Sequence, residues 1–458
     1  MNSDEKKYSA DEKKNGSTSL TTSGNGHATA AGEDRKKNFL FVSWEALSGD
    51  LAWKIKNEGH EVKCYIKNAT DEYDGILEKV SEWKGLVDWA DVIIFDDIGF
   101  GEEADRLRKS GKAVVGGSAY TDLLEEDREF GQAEIKRLGM LTLPSWNFSN
   151  YDEALEFIQN NPGRYVYKPS GLSAGETRGL LFSGKEEDGK DLYEILSQNK
   201  KVLERRIKQF QLQKYVSGVE VGASAFFNGQ KFITPVLVAF EHKRLFPGEL
   251  GEMTGEMGTS MFWCEPNKLF KETTGKMEED LRKAGYVGYI DINCIVNGRG
   301  IYPLEFTCRF GYPTIFIQQE GVLSEWGEFM YALANHQDYD LKTKKGFQVG
   351  VVCVVPPFPY NERKTVEIYK DLSILFKKPG LEGIHLGDVK IVDNVWRVAG
   401  HSSYVLVVTG SGSTMEEARK QTYSRVDNIM LVNMFYRTDI GAKWPEDSDR
   451  LHTWGYLY

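Results

Sequence analysis

The run from Gly285 to Pro313 gathers side chains suited to holding a hard cation beside an anion in transfer. It reads as two apolar strands joined at Asn297-Gly298, a dipeptide that tolerates the positive φ angles of a tight hairpin. Side chains alternate with period two along a strand, so Asp291 and Asn293 share a face on the first, and Glu305, Thr307 and Arg309 share one on the second. A register that brings the two faces together puts carboxylate, amide, hydroxyl and guanidinium at one spot. Magnesium takes such oxygens together with those of a polyphosphate, and a neighbouring arginine holds a negatively charged group as it moves. The same alternation is ordinary at a solvated sheet edge, and pattern alone leaves both readings open. Five polar groups in two short runs, the second leading directly into Phe-Gly-Tyr-Pro, favour a site.

A second stretch supplies what a triphosphate needs. Tyr165-Val-Tyr-Lys168 is a β run carrying a point charge, and Pro-Ser-Gly171-Leu-Ser173-Ala-Gly175-Glu-Thr177 is a small, glycine-rich turn whose backbone N–H groups can approach phosphate closely. Most such turns are plain hairpin loops. Downstream, Gln211 to Glu220 and Ala223 to Phe227 read as two strands across a short turn, with Glu220 directed where a nucleotide ribose would lie. The runs Glu241-His242-Lys243-Arg244 and Gly251 to Gly258, the latter with Thr254 and Gly255, are too polar for a core. They suit a substrate loop or a surface Ω-loop.

These segments need a scaffold. Asn38–Val42, Val62–Ile66, Val92–Phe95 and Ala113–Val115 are β runs alternating with helical patterns such as Asp50–Glu58, the sign of a parallel, doubly wound sheet. Ligands in such sheets sit beyond the carboxyl ends of the strands, which places Ser43–Gly49, Asp97 and Gly116 in one crevice. Asp96 and Asp97 suit capping of the Glu102-Glu103 turn equally well. A charged helix is expected over Glu125–Leu138. From Phe347 onward β runs alternate with a helix near Thr414–Met430. Four regions follow: a disordered tail over 1–37, an N-terminal α/β domain over 38–122, a central domain over 123–346 with a lid region near 165–220, and a C-terminal α/β domain over 347–458 packing on that core.

Composition narrows the function. The 458 residues carry a formal charge of -11, which argues against a nucleic-acid surface, since that needs a basic patch to displace counterions. With 41% apolar residues the chain can bury a large core, yet no apolar run is long enough for a membrane span. The five cysteines are scattered without Cys-x-x-Cys spacing, and no leader-like segment opens the chain, so a cytoplasmic setting is expected.

In order along the chain, Glu126-Asp-Arg128-Glu-Phe, Lys168 to Gly175, Val216-Ser-Gly218-Val-Glu220, His242-Lys-Arg244, Thr254-Gly255-Glu-Met257-Gly258, Glu305-Phe-Thr-Cys-Arg309-Phe-Gly311 and Tyr436 to Ala442 resemble the glycinamide ribonucleotide synthetase (phosphoribosylamine-glycine ligase) family of ATP-grasp enzymes. The resemblance runs nearly end to end from about Asn38. It implies an ATP-grasp fold and a carboxylate-amine ligase that makes an acyl phosphate, with ATP and Mg2+ (or Mn2+) as cofactors and small-molecule amine and carboxylate partners. It implies ATP contacts at Arg128, Lys168, Ser173, Gly175, Gln213 and Glu220, and catalytic roles for Lys168 and Arg309. The metal would fall to Glu305 and Thr307, with Asp291 or Asn293, and the substrates to Asp97, His242, Lys243, Arg244, Thr254 and Gly255. The departures cluster on the acceptor side. Thr307 stands where the family has Asn, Ser43-Trp-Glu-Ala-Leu-Ser-Gly49 replaces its glycine-rich amino-terminal loop, Tyr312 replaces an Asp, and Met253 falls near a loop Asn. Three readings follow: a ligase with shifted substrates, the family's own reaction, or a nucleotide-binding homologue that has lost catalysis.

Overall fold

The structure, a computed structural model, describes residues 36–68, 70–170 and 180–458. Nearly all of the expected tail therefore lies outside the described residues, as does the turn carrying Ser173 and Gly175. Residues 37–458 form one unit.

The chain opens with a five-stranded sheet in the order β3-β2-β1-β4-β5, from β1 (Asn38–Ser43), β2 (Glu61–Ile66), β3 (Glu78–Lys79), β4 (Val92–Phe95) and β5 (Val114–Val115). Every pairing is parallel. Continuous apolar runs are required because both faces are covered: Leu40, Val42, Ile93 and Phe95 pack on one side, Phe39, Phe41, Val92 and Ile94 on the other.

Next comes a four-stranded sheet, ordered β6-β9-β7-β8, from β6 (Ser145–Phe148), β7 (Tyr165–Ser170), β8 (Phe182–Ser183) and β9 (Gln209–Lys214). It packs with the helices Tyr151–Asn160 and Lys190–Arg206 around its own aromatic core. An eight-stranded sheet holds the rest together. It contains β10 (Val219–Phe227), β11 (Val236–Glu241), β14 (Gly258–Cys264), β15 (Gly288–Asn297), β16 (Gly300–Thr307) and β17 (Phe347–Val354), while β12 (Arg244–Phe246) and β13 (Leu250–Met253) form a separate small hairpin. The order is β16-β15-β10-β11-β14-β17, followed by strands Tyr404–Gly412 and Ile384–Leu386. Thus the segment beyond residue 346 continues the central sheet through the β14–β17 pairing as well as packing on it.

Two local expectations change. The helix expected over Glu125–Leu138 breaks into Ala119–Glu126 and Arg128–Arg137, because the Asp127 carboxylate accepts the N–H groups of Glu129 and Phe130 as an N-cap. The hairpin turn at Asn297 needs no positive φ there or at Gly298; the Asn297 side-chain oxygen instead accepts the Arg299 N–H at 2.8 Å.

Asp50 ties the first layer to the last. It is 2% exposed, accepts the Leu386 N–H and the Gln319 amide, and hydrogen-bonds His385. Removing a buried charged partner costs about 3 kcal/mol or more. Asp50→Ala should therefore lower the urea midpoint of unfolding by that equivalent, and Asp50→Asn by less.

Candidate active site

The β15–β16 register sets Asp291 opposite Thr307 and Asn293 opposite Glu305. The two polar faces therefore coincide, as the alternation requires. The pairing slips between Asn293 and Cys294, where Pro303, which has no N–H to give, sits on the outer strand. On the reverse face Ile290, Ile292, Cys294 and Val296 are fully buried, which locks the register: a slip of one residue would drive Asp291 into apolar packing.

One cation occupies the polar face. Lys243 Nζ lies 2.8 Å from Glu305 Oε1, 3.1 Å from Glu241 Oε2 and 3.2 Å from Glu220 Oε1. The Asn293 amide donates to Glu220 at 2.9 Å and to Glu241 at 3.3 Å. Burial acts to lower the Lys243 pKa, but Glu241, Glu305 and Glu220 together raise it well above the usual value. In return, the Lys243 ammonium first of all brings Glu305 down to about 2, although the Glu305 side chain keeps 61% of its exposure. Burial, then Glu241, pushes Asp291 and Glu256 well above the carboxylate range. Asp291 Oδ1, Asn293 Oδ1 and Glu256 Oε1 are buried with no hydrogen-bond partner. Gly222 is required beside them, since a Cβ there would stand 2.6 Å from Asp291 Oδ1.

Lys168 reaches the same face from β7. Burial first, then the nearby Arg128, lowers it to about 8, while Glu305 and Glu220 act in the opposite sense. Arg128 stands exposed at the start of its helix. Arg309 turns towards the N-terminal layer: it lies 3.1 Å from Glu125 and 3.7 Å from Asp97, and its Nε is buried without a hydrogen bond. Glu125 also accepts the Cys308 N–H at 2.7 Å, fixing the chain where β16 ends. Nearby, Gly116 N–H donates to Val287 O at 2.7 Å, joining the parallel sheet to the lead-in of β15.

Several expected site residues have other partners. His242 is buried, accepts the Gly441 N–H at 3.4 Å, and is driven to about 4 by burial and then Arg437. Arg244 donates to Gly251 O, and Thr254 Oγ1 to Lys243 O, so both secure the loop. Gly255 is exposed, and Gln213 is buried in β9 between Ser145 and Val166. Asp96 caps no turn at Glu102; it accepts the Ser48 N–H and hydroxyl, and Asp97 accepts the Ile98 N–H. Glu241, Glu256 and Glu125 were not singled out by spacing. A signal existed for Glu241, which shares a face with Lys243 two residues on. Glu256 and Glu125 are brought in by the fold alone. A cavity of about 300 Å³ lies elsewhere, lined by Ile66, Asn68, Thr70, Asp71, Lys79 and Val80.

This arrangement has counterparts. Residues 126–315 match the family model "Phosphoribosylglycinamide synthetase, ATP-grasp (A) domain", and residues 348–443 match the C domain of the same synthetase. Similar proteins include the phosphoribosylamine–glycine ligases of Listeria innocua, 25% identical over 89% of this chain and 99% of that protein, and of Clostridium acetobutylicum, 25% identical over 85% and 96%. Among solved structures, the phosphoribosylamine–glycine ligase of Thermotoga maritima has a TM-score of 0.65 at 22% identity, covering 88% of this chain and 100% of that one. The biotin carboxylase–β,γ-ATP complex of Campylobacter jejuni has a TM-score of 0.60 at 13% identity, covering 92% and 97%. The fold is that of the ATP-grasp ligases. With both of its domains matched in order over more than half of the chain, the protein belongs to the phosphoribosylglycinamide synthetase family.

Because Glu305 is held below its usual 4.5, its pairing stabilises the fold above that pH, and the contribution fades as pH falls towards about 2. Lys243→Met should raise the Glu305 pKa to or above the usual value, read by carboxyl-carbon NMR titration. An unchanged value would remove Lys243 from its central place.

Proposed function

We infer that the chain is an ATP-dependent carboxylate-amine ligase working through an acyl phosphate, with small-molecule substrates that differ from the family's on the acceptor side. What carries the reading is the gathering of Lys168 and Arg128 opposite Glu305, Lys243 and Glu220 on one sheet face. In the first step a substrate carboxylate oxygen attacks the γ-phosphorus of ATP and ADP leaves. In the second an amine attacks the acyl carbon, the new C–N bond replaces the C–O bond to phosphate, and the nitrogen sheds a proton. Lys168 and Arg128 bring positive charge to the phosphates, a contribution that grows as charge develops. Ser173 and Gly175 would add donors from the glycine-rich turn, with Glu220 and Gln213 on the nucleotide's remaining groups. Arg309, held by Glu125 and Asp97, would steady the group in transfer.

The donor set suits Mg2+ or Mn2+. Asp291 Oδ1 and Asn293 Oδ1 are buried without partners, and Glu305 and Thr307 stand directly across from them. Among the described residues no three His, Cys, Asp or Glu side chains are grouped to hold a metal by themselves, so phosphate oxygens and water would complete the shell, as is usual for magnesium. When bound, the ion would supply charge neutralisation between the β- and γ-phosphates. We take residues 38–122, 123–346 and 347–458 as the working regions, and a cytoplasmic setting, in keeping with five free cysteines. A second reading, the phosphoribosylamine–glycine reaction itself, is favoured by the names of the relatives.

ADP release against a panel of amino acids and amines separates these: turnover only with glycine and phosphoribosylamine selects the second reading, and no turnover with any pair leaves a non-catalytic nucleotide binder. Lys168→Ala should weaken ATP binding roughly 10- to 100-fold, the equivalent of a charge-assisted contact of about 1.5–3 kcal/mol. Glu305→Gln should cost far more in kcat than in ATP affinity, because its role is greatest where transition-state charge develops. Thr307→Asn should maintain or raise turnover. Equal activity of Glu305→Gln and the parent would overturn the metal assignment.

A further inference from the structure

Buried carboxylate oxygens without partners also occur away from the β15–β16 face. Glu72 Oε2 and Asp96 Oδ1 have none, as is true of Glu256 Oε1, and these residues are 4%, 1% and 5% exposed. Leaving such an oxygen without a donor costs about 1–3 kcal/mol or more, so each calls for a proton or a cation. Two of them belong to one path. Glu72 sits where the segment after β2 meets the C-terminal part: Tyr73 N–H donates to Val389 O, Ile391 N–H to Asp74 O, and Ser402 Oγ lies 3.5 Å from Glu72 Oε1. Burial raises the Glu72 pKa well above the usual value, with Asp388 next in effect. Tyr312 is within electrostatic reach of Glu72 and Asp388, and its ring centroid is 4.3 Å from that of Tyr404. The Tyr404 hydroxyl is itself buried without a partner, and Glu256 acts on it. Glu256 in turn is within reach of Glu241 and Lys243.

The cations near this path are already engaged. Lys79 Nζ donates to Thr70 O and Glu72 O and pairs with Asp74, and Lys390 pairs with Asp71 and Asp371. Asp388 is closed by the N–H groups of His401, Ser402 and Ser403, so it adds negative charge without an open oxygen. The usual place for an anion in a doubly wound sheet, the start of the helix after β1, is taken as well. There the Ser48 N–H and hydroxyl donate to Asp96 Oδ2 at 2.9 and 2.8 Å. Beside it Trp44 stacks on Phe100 at 4.7 Å and donates to Ile98 O.

Resting on the ligase reading, we propose that the amine acceptor is a phosphate-free alkyl diamine, with one nitrogen kept as an ammonium by Glu72 while the other is directed past Tyr312 and Tyr404 towards Glu256 and the reacting face. The free end attacks the acyl carbon, phosphate leaves with the electron pair of the broken C–O bond, and the proton lost by nitrogen passes to solvent. The far end stays protonated throughout.

The test uses the full chain with ATP, Mg2+ and the amino-acid panel, offering either 1,4-diaminobutane or phosphoribosylamine formed from ribose 5-phosphate and ammonia. Turnover with the diamine is expected. Glu72→Gln should raise its KM roughly tenfold or more with a smaller change in kcat, since a charge-assisted contact is lost. Glu256→Gln is the second variant, used if circular dichroism shows that Glu72→Gln does not fold. Turnover with phosphoribosylamine and none with the diamine, or an unchanged diamine KM in both folded variants, overturns the proposal while leaving the ligase reading intact. Absence of ADP release with every acceptor overturns the ligase reading. Calorimetry with 1,4-diaminobutane then decides the site alone: binding lost in Glu72→Gln supports it, and no binding to the parent overturns it.

Discussion

A single ammonium group makes the polar face of the central sheet possible. Glu220, Glu241 and Glu305 converge on Lys243 Nζ within 3.2 Å, and Asp291 and Glu256 lie in the same field. Like charges at this spacing cannot all remain ionised in a buried place unless a cation is among them. The physical result is a division of states: Glu305, partnered and partly exposed, is held ionised, whereas Asp291 and Glu256 are pushed towards neutrality. Such a face is poised to accept more positive charge, and it does so without rearranging the sheet.

The rest of the fold holds that face in place. The apolar reverse of β15 fixes the register, Gly222 leaves room for Asp291, and Glu125 anchors the end of β16 through Cys308. The parallel sheet contributes by a direct backbone bond, Gly116 to Val287, and by Asp97 beside Arg309. The C-terminal part is equally bound in, because β17 extends the sheet and Asp50 is clamped against Leu386. Both outer layers therefore close on the same central strands, and the acids on their inner surfaces share one electrostatic environment with the hairpin.

The residues that set this chain apart from its family have physical consequences in the structure. Trp44 is committed to a stack with Phe100, and Tyr312 to Tyr404, so neither position is simply vacant. Thr307 faces Asp291 across the hairpin, where a short hydroxyl stands opposite a carboxylate. These substitutions lie where the N-terminal and C-terminal layers approach the sheet, whereas Lys168 and Glu305 retain the family's pattern.

Much of this was legible in the sequence because it depends on local rules. Period-two alternation determined that Asp291, Asn293, Glu305 and Thr307 share faces, and the apolar runs alternating with helical patterns determined the parallel sheet. Ordered motifs from Glu126 to Ala442 determined the family. Tertiary structure alone decided which charges meet. His242, next to Lys243 in sequence, turns to Gly441 and is buried neutral, while Glu256, thirteen positions on, joins the acid face. Nothing in local spacing separates those outcomes, because burial and charge pairing depend on which strands lie side by side. The same holds for Glu125 beside Arg309 and for Glu72 beside Asp388, contacts made between distant segments whose proximity arises only when the sheets close.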